Sequence, residues 1–121
     1  MNVFVSQPMD GMKMEDILAE RDRVKNVLKK MFPKRQINII DNITDNITDN
    51  DGDMLGKDLS LIFKADYIFF TAESRRGHRG CEMEVMFAEY YNVRRIEEIE
   101  MFTDDGPTYG YWIRLPFGGA V

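Results

Sequence analysis

Asp66 to Val93 read DYIFFTAESRRGHRGCEMEVMFAEYYNV. The stretch opens with Tyr67 to Thr71 (YIFFT), the most apolar run in the chain and of a length suited to a buried strand. It closes with a segment from Gly80 to about Asn92 in which Cys81, Glu84 and Ala88 recur at steps of three and four. That spacing predicts a helix with all three on one face. Between strand and helix lie Glu73, Ser74, three arginines, one glycine and the only histidine. A buried strand that turns through glycine into a helix is one half of a parallel crossover unit.

The same alternation runs outward from this stretch. Upstream, Met54 to Ala65 predicts a helix with Leu55, Leu59, Ile62 and Phe63 inward. Before it, Ile37 to Ile40 (INII) reads as a short strand. Met14 to Met31 predicts a helix through Ile17, Leu18, Val24, Val27, Leu28 and Met31, closed by Pro33. Asn2 to Ser6 (NVFVS) reads as the first strand, stopped by Gln7-Pro8 and Asp10-Gly11. Downstream, Glu98 to Phe102 is a fourth strand, and 101–121, rich in glycine, proline and aromatics, reads as an irregular tail. Strand and helix alternating in this way predict one α/β domain over 1–121. It would be a Rossmann-like or flavodoxin-like three-layer sandwich, with a mostly parallel sheet of four to five strands and helices on both faces.

The tandem repeat DNITDNITDNDGD, Asp41 to Asp53, fails as a calcium loop. With Gly52 at the sixth position, Ile47 occupies the first ligand position, where an acid is required. No metal or cofactor is expected. The chain has 121 residues, a net charge of -5 and one cysteine. The acidic balance argues against a nucleic-acid polymer as partner. One cysteine cannot form an intrachain disulfide, which suits a reducing compartment. MNVFVSQPMDG is too short and too polar for a signal peptide, and no apolar run would span a bilayer. The expectation is therefore a cytoplasmic protein with no membrane contact. The two sequons at Asn42 and Asn46 then carry no meaning.

Ligands in open parallel sheets bind beyond the C-terminal ends of the strands. Two loops are thus candidates. The first offers Ser6, Gln7, Pro8, Met9 and Gly11, where glycine permits close approach. The second offers Ser74, Arg75, Arg76, His78, Arg79 and Gly80 at a helix start, where free N–H groups, the helix dipole and guanidinium groups all favour an anion. Behind it stands Glu84, a carboxylate in a stripe of small and apolar residues. Burial would raise its pKa and the helix start would lower it, and either nucleophilic or acid–base work is open to it. Asp58 shares a face with Leu55 and Ile62 and is a second inward carboxylate. Cys81 with His78 is conceivable as a nucleophile pair, against a plain packing role for the thiol.

Three segments taken together, VFVSQPMDGM, MLGKDLSLIFKADYIFF and RGCEMEVMFAEYYNV, resemble the nucleoside 2-deoxyribosyltransferase-like superfamily, in particular its small bacterial and phage branch. The resemblance covers roughly residues 2 to 96. It implies a Rossmann-like fold and cleavage of an N-glycosidic bond. Glu84 would be the nucleophile on the anomeric carbon, Asp58 would serve the base, and the loop from Ser6 to Met12 would wall base and sugar. It also implies a homodimer or higher homo-oligomer. Two positions depart from the family pattern. His78 stands where transferases usually carry an acid, and Cys81 stands where they usually carry threonine. The cationic loop shifts the expected substrate from a nucleoside toward a nucleoside 5′-monophosphate. The alternative is a nucleotide-binding sensor or sequestering module without turnover.

Overall fold

A computed structural model describes residues 1–9, 11–42 and 51–115, with the backbone alone for 51–56, 75 and 79. Its elements are β1 (Asn2–Ser6), α1 (Met14–Met31), β2 (Asn38–Ile39), α2 (Asp51–Ile62), β3 (Tyr67–Phe70), α3 (Arg79–Tyr90), β4 (Arg94–Thr103) and β5 (Gly106–Arg114). One five-stranded sheet has the order β2-β1-β3-β4-β5. β1 pairs in parallel with both β2 and β3, and β3 with β4, while β5 returns antiparallel to β4. The protein is therefore α/β with a mostly parallel sheet.

Strand alternation divides the core in two. Val3, Val5, Tyr67, Phe69 and Ile96 point to one side and pack with Val24 and Leu28 of α1. Phe4, Ile68 and Phe70 point to the other and pack with Ile62 of α2 and Ala88 of α3. β1 and β3 are thus covered on both sides, which is why their sequences run apolar without alternation. Burying a side chain of this size contributes about 1.5–3 kcal/mol.

α3 ends through local chemistry. Asn92 adopts φ 59, the left-handed region that asparagine tolerates best among residues with a Cβ. The Val93 N–H then reaches the Ala88 carbonyl at 2.8 Å and the Asn92 N–H reaches that of Glu89 at 3.3 Å. This double closure satisfies the last carbonyls of the helix and aims the chain into β4.

Four expectations need correction. The tail is not irregular through its length: 106–114 form β5, and only 116–121 lie outside the described residues. Pro107 is tolerated because β5 is an edge strand and needs no N–H on its outer side. The signal was Thr103-Asp104-Asp105-Gly106, a two-residue hairpin loop with Gly106 at φ 108. The fourth strand starts at Arg94 rather than Glu98, because β3 supplies a parallel partner from Tyr67 onward. Leu18 and Phe63 point outward, at 49% and 59% exposure. The tandem repeat falls mostly on 43–50, outside the described residues.

Candidate active site

Three side chains predicted to face inward on α3 do so: Cys81, Glu84 and Ala88 are all buried. Glu84 is 5% exposed, and its Oε1 accepts a 2.9 Å hydrogen bond from the Ser6 hydroxyl at the end of β1. The reason is register. Ser6 shares the side of β1 that carries Phe4, the side covered by α2 and α3. Burial first, and then the charge of Asp58, push the Glu84 carboxyl up to about 8. The Ser6 hydrogen bond and the charge of Arg21 pull against that rise. The two carboxylates selected from sequence thus share one buried neighbourhood, and ionising both there is costly.

Arg21 holds this neighbourhood together, and it was missed. It lies on the buried stripe of α1, between Ile17 and Val24. Its Nε donates to Gln7 Oε1 at 3.0 Å, its Nη1 to the Ile40 carbonyl at 3.1 Å, and its Nη2 to Asn42 Oδ1. Asn42 Nδ2 in turn donates to Asp58 Oδ1 at 3.0 Å, and Gln7 Nε2 donates to the Ile17 carbonyl at 3.3 Å. One guanidinium therefore ties the first loop, the chain after β2 and α2 to α1. Burial lowers its pKa, while Asp41, Asp58 and Glu84 work against that shift. The available signal was an arginine four residues after Ile17 and three before Val24, inside the apolar stripe. Asn42 belongs to this buried set, a poor position for a glycan.

The first loop divides by depth. Ser6 and Gln7 are buried and bonded, Pro8 and Met9 are half-buried, and Gly11 is exposed at φ 74. The second loop, expected as an anion cradle, is described in part. Ser74 is buried, and its hydroxyl donates to the Thr71 carbonyl at 2.6 Å. Arg76 reaches Glu100 at 2.8 Å and Glu73 at 3.4 Å. His78 caps α3 without a side-chain cap bond, and its Nε2 is 3.9 Å from Glu73. Gly80 is exposed, and a Cβ there would meet nothing within 4 Å, so close packing does not explain it. The side chains of Arg75 and Arg79 lie outside the described residues.

Burial pushes the Cys81 thiol up to about 11. A hydrogen bond with Ser6 opposes this, and the charges of Glu84, Asp58 and Glu82 add to it. A thiol with that pKa is scarcely ionised at neutral pH, which argues against a cysteine nucleophile.

A buried carboxylate on the other side of the sheet also went unnoticed. Glu98 of β4 is 0% exposed and lies on the α1 side of the sheet with Ile96. Arg23 grips it with two bonds of 2.8 Å, the Tyr111 hydroxyl donates to it at 3.0 Å, and the Ala72 N–H at 3.0 Å. Burial opposes its charge, but these donors outweigh burial and hold its pKa below the usual value. The Arg23–Glu98 pair borders a cleft of about 570 Å³ at the C-terminal ends of the parallel strands, also lined by Gln7, Pro8, Thr71 and Tyr109. Glu84 and Asp58 do not line that cleft.

Among the described residues, no cluster of histidine, cysteine or carboxylate side chains could hold a metal ion, and no helix is long and apolar enough to cross a membrane. No protein-family model matches the chain, and a comparison with curated proteins returns no match.

Proposed function

We propose that the protein cleaves the N-glycosidic bond of a nucleoside or nucleoside 5′-monophosphate. A Glu84 oxygen attacks the anomeric carbon, and an ester bond to the sugar forms as the carbon–nitrogen bond breaks. The base leaves with the electron pair and takes up a proton, with Asp58 as the group serving it. Water or a second base then attacks the same carbon and frees Glu84. The observation that carries this reading is the Ser6–Glu84 hydrogen bond in a buried neighbourhood shared with Asp58. It brings together the end of the first strand and the inward face of the helix after the third. The strand order β2-β1-β3-β4-β5, with α1 on one side and α2 and α3 on the other, supports a doubly wound, flavodoxin-like arrangement for this site.

Of the cationic loop's described side chains, Arg76 is engaged by carboxylates, which weakens the case for a phosphate and leaves the nucleoside the better-supported substrate. A buried lone thiol suits a reducing compartment, in keeping with a cytoplasmic protein. A non-catalytic nucleotide-binding module is favoured by one observation. Glu84 is 5% exposed and does not line the cleft, so substrate reaches it only if the surroundings rearrange.

Chromatography of a nucleoside and monophosphate panel, with and without an acceptor base, separates the two readings. The enzyme releases free base, and Glu84→Gln removes release by ~10³-fold or more. Because the attacking carboxylate must be ionised, kcat/KM rises with pH through about 8. Binding without any base release across the panel would leave the module as the reading.

A further inference from the structure

Two arginines of α1 reach the neighbourhood of buried carboxylates, and they do so differently. Arg23 grips Glu98 directly with two bonds of 2.8 Å and holds that carboxylate in its charged form. Arg21 is 7% exposed, yet the three acceptors bonded to it are all neutral: the Gln7 amide, the Ile40 carbonyl and the Asn42 amide. Asp41, Asp58 and Glu84 act on it through space. A buried cation held by neutral groups is destabilising, and an apolar side chain would fill this position of the α1 stripe with less loss of stability. The bonds also carry direction. A guanidinium only donates, so the Asn42 amide must turn its oxygen to Arg21 and its nitrogen to Asp58. Asn42 Nδ2 then donates to Asp58 Oδ1 at 3.0 Å, and an oxygen that faces a donor does not hold a proton there. On the other side, Arg21 Nε fixes Gln7 at 3.0 Å, and Gln7 Nε2 closes onto the Ile17 carbonyl at 3.3 Å. Gln7 is the chain neighbour of Ser6, whose hydroxyl meets Glu84 Oε1 at 2.9 Å. One guanidinium therefore stands behind both carboxylates.

We propose that Arg21 is a positioning residue for base release: through Asn42 it orients Asp58, through Gln7 it sets the strand end that carries Ser6, and its charge supports ionised Glu84 at the moment of attack. The proposal rests on the reading of Glu84 and Asp58 as the reacting pair, and Arg21 itself touches no reacting atom. The groups that face Glu84 are Asp58 from α2, Arg21 from α1 and Ser6 from β1, with Cys81 one turn earlier on α3. Glu82 acts on Cys81, and Asp41 acts on Arg21 from the chain after β2. Among these groups Arg21 supplies the positive charge. Because neutral amides hold it in place, that charge compensates the carboxylates without locking either one, as Arg23 locks Glu98.

Carbon-detected NMR of the Glu84 carboxyl over a pH series, with base release measured on the same samples, tests it. In the wild type the carboxyl is expected to titrate at about 8. Arg21→Gln should move that midpoint upward, lowering the ionisation constant ~3-fold or more, and the rise of kcat/KM with pH should move with it. kcat should fall ~10-fold or more, because Asp58 is no longer aimed, while KM changes less. Arg21→Lys keeps the charge and loses the fork, so it should restore the midpoint but not kcat. A role in folding alone would move neither the midpoint nor the pH profile of the folded protein. An unchanged Glu84 midpoint in Arg21→Gln overturns the proposal, and so does a shifted one that Arg21→Lys fails to bring back. If Arg21→Gln unfolds, Asn42→Ser leaves the guanidinium in place and must still lower kcat with the midpoint unchanged; an unaltered kcat overturns the proposal. Wild-type protein that releases no base overturns the enzyme reading instead, and the NMR midpoints then decide by themselves whether Arg21 governs the charge of Glu84.

Discussion

Glu84 and Glu98 are two buried carboxylates, 5% and 0% exposed, near the C-terminal ends of parallel strands, on opposite sides of one sheet. Their chemistry diverges. Glu84 has a hydroxyl for a partner and a second carboxylate for a neighbour, and its pKa rises to about 8. Glu98 has a guanidinium fork, a backbone N–H and a phenol, and its pKa falls. Burial pushes both carboxyls up, and the partners decide whether it wins. One site is built to keep a charge in place. The other withholds charge from a group that could use it, which is the form a reactive carboxylate takes.

The largest effect expected from breaking this contrast is on the ion pair. Arg23→Met leaves Glu98 buried without its counter-charge and should cost about 3–5 kcal/mol in urea denaturation at neutral pH. The sign with pH is opposite at the two sites. Glu98, with a lowered pKa, contributes stability above the ordinary carboxylate range, and this is lost as pH falls through its folded value. Arg23→Met should therefore recover part of its deficit in acid. If the deficit is the same at all pH values, the pair's charge is not what stabilises it.

Glu84 behaves the other way. Its raised pKa favours the protonated form in the folded state, so its contribution is full below about 4.5 and is lost as pH rises to about 8. Glu84→Gln removes that loss. Above pH 8 the variant should be more stable than wild type by about 2–4 kcal/mol, with the difference vanishing in acid. A variant with more stability and no base release would mark a group held in place for function. Equal stability at all pH values would mean that Glu84 is not strained by burial.

Two smaller changes sharpen the comparison. Ser6→Ala deletes the hydroxyl that favours ionised Glu84, so the carboxyl should titrate still higher by carbon-detected NMR, at a stability cost of about 1 kcal/mol. A downward shift would show that Ser6 does not favour the ionised form. Arg76→Ala removes an exposed pair with Glu100 and Glu73 and should cost under ~1 kcal/mol. If KM for a monophosphate nevertheless rises while KM for its nucleoside stays fixed, Arg76 leaves its carboxylates to bind phosphate.

Local pattern was sufficient for much of the chain. The bounds of β1 and α1 follow from an apolar run ended by Gln7-Pro8 and from three- and four-residue spacing ended near Pro33. Glu84 was selected by spacing together with its place in the family resemblance, and its inward face by spacing, because Cys81, Glu84 and Ala88 must share a face whatever lies opposite them. Asp58 was selected in the same way and is buried. Leu18 and Phe63 show the limit of such spacing: it finds a face but not the face's width. β5 was hidden because glycine and proline weaken any strand taken alone, and its partner, β4, becomes visible only once the hairpin closes.

The sequence by itself determined that helices and strands alternate, that two carboxylates face inward, and that one loop gathers the cations. Each is a property of neighbours along the chain, set by backbone period and side-chain type. The tertiary structure alone decided what those groups meet. Arg21 is bonded to residues fourteen, nineteen and twenty-one positions away, and Glu98 to one seventy-five away. Charge in a low-dielectric interior is set by those distant partners, and no local period encodes them.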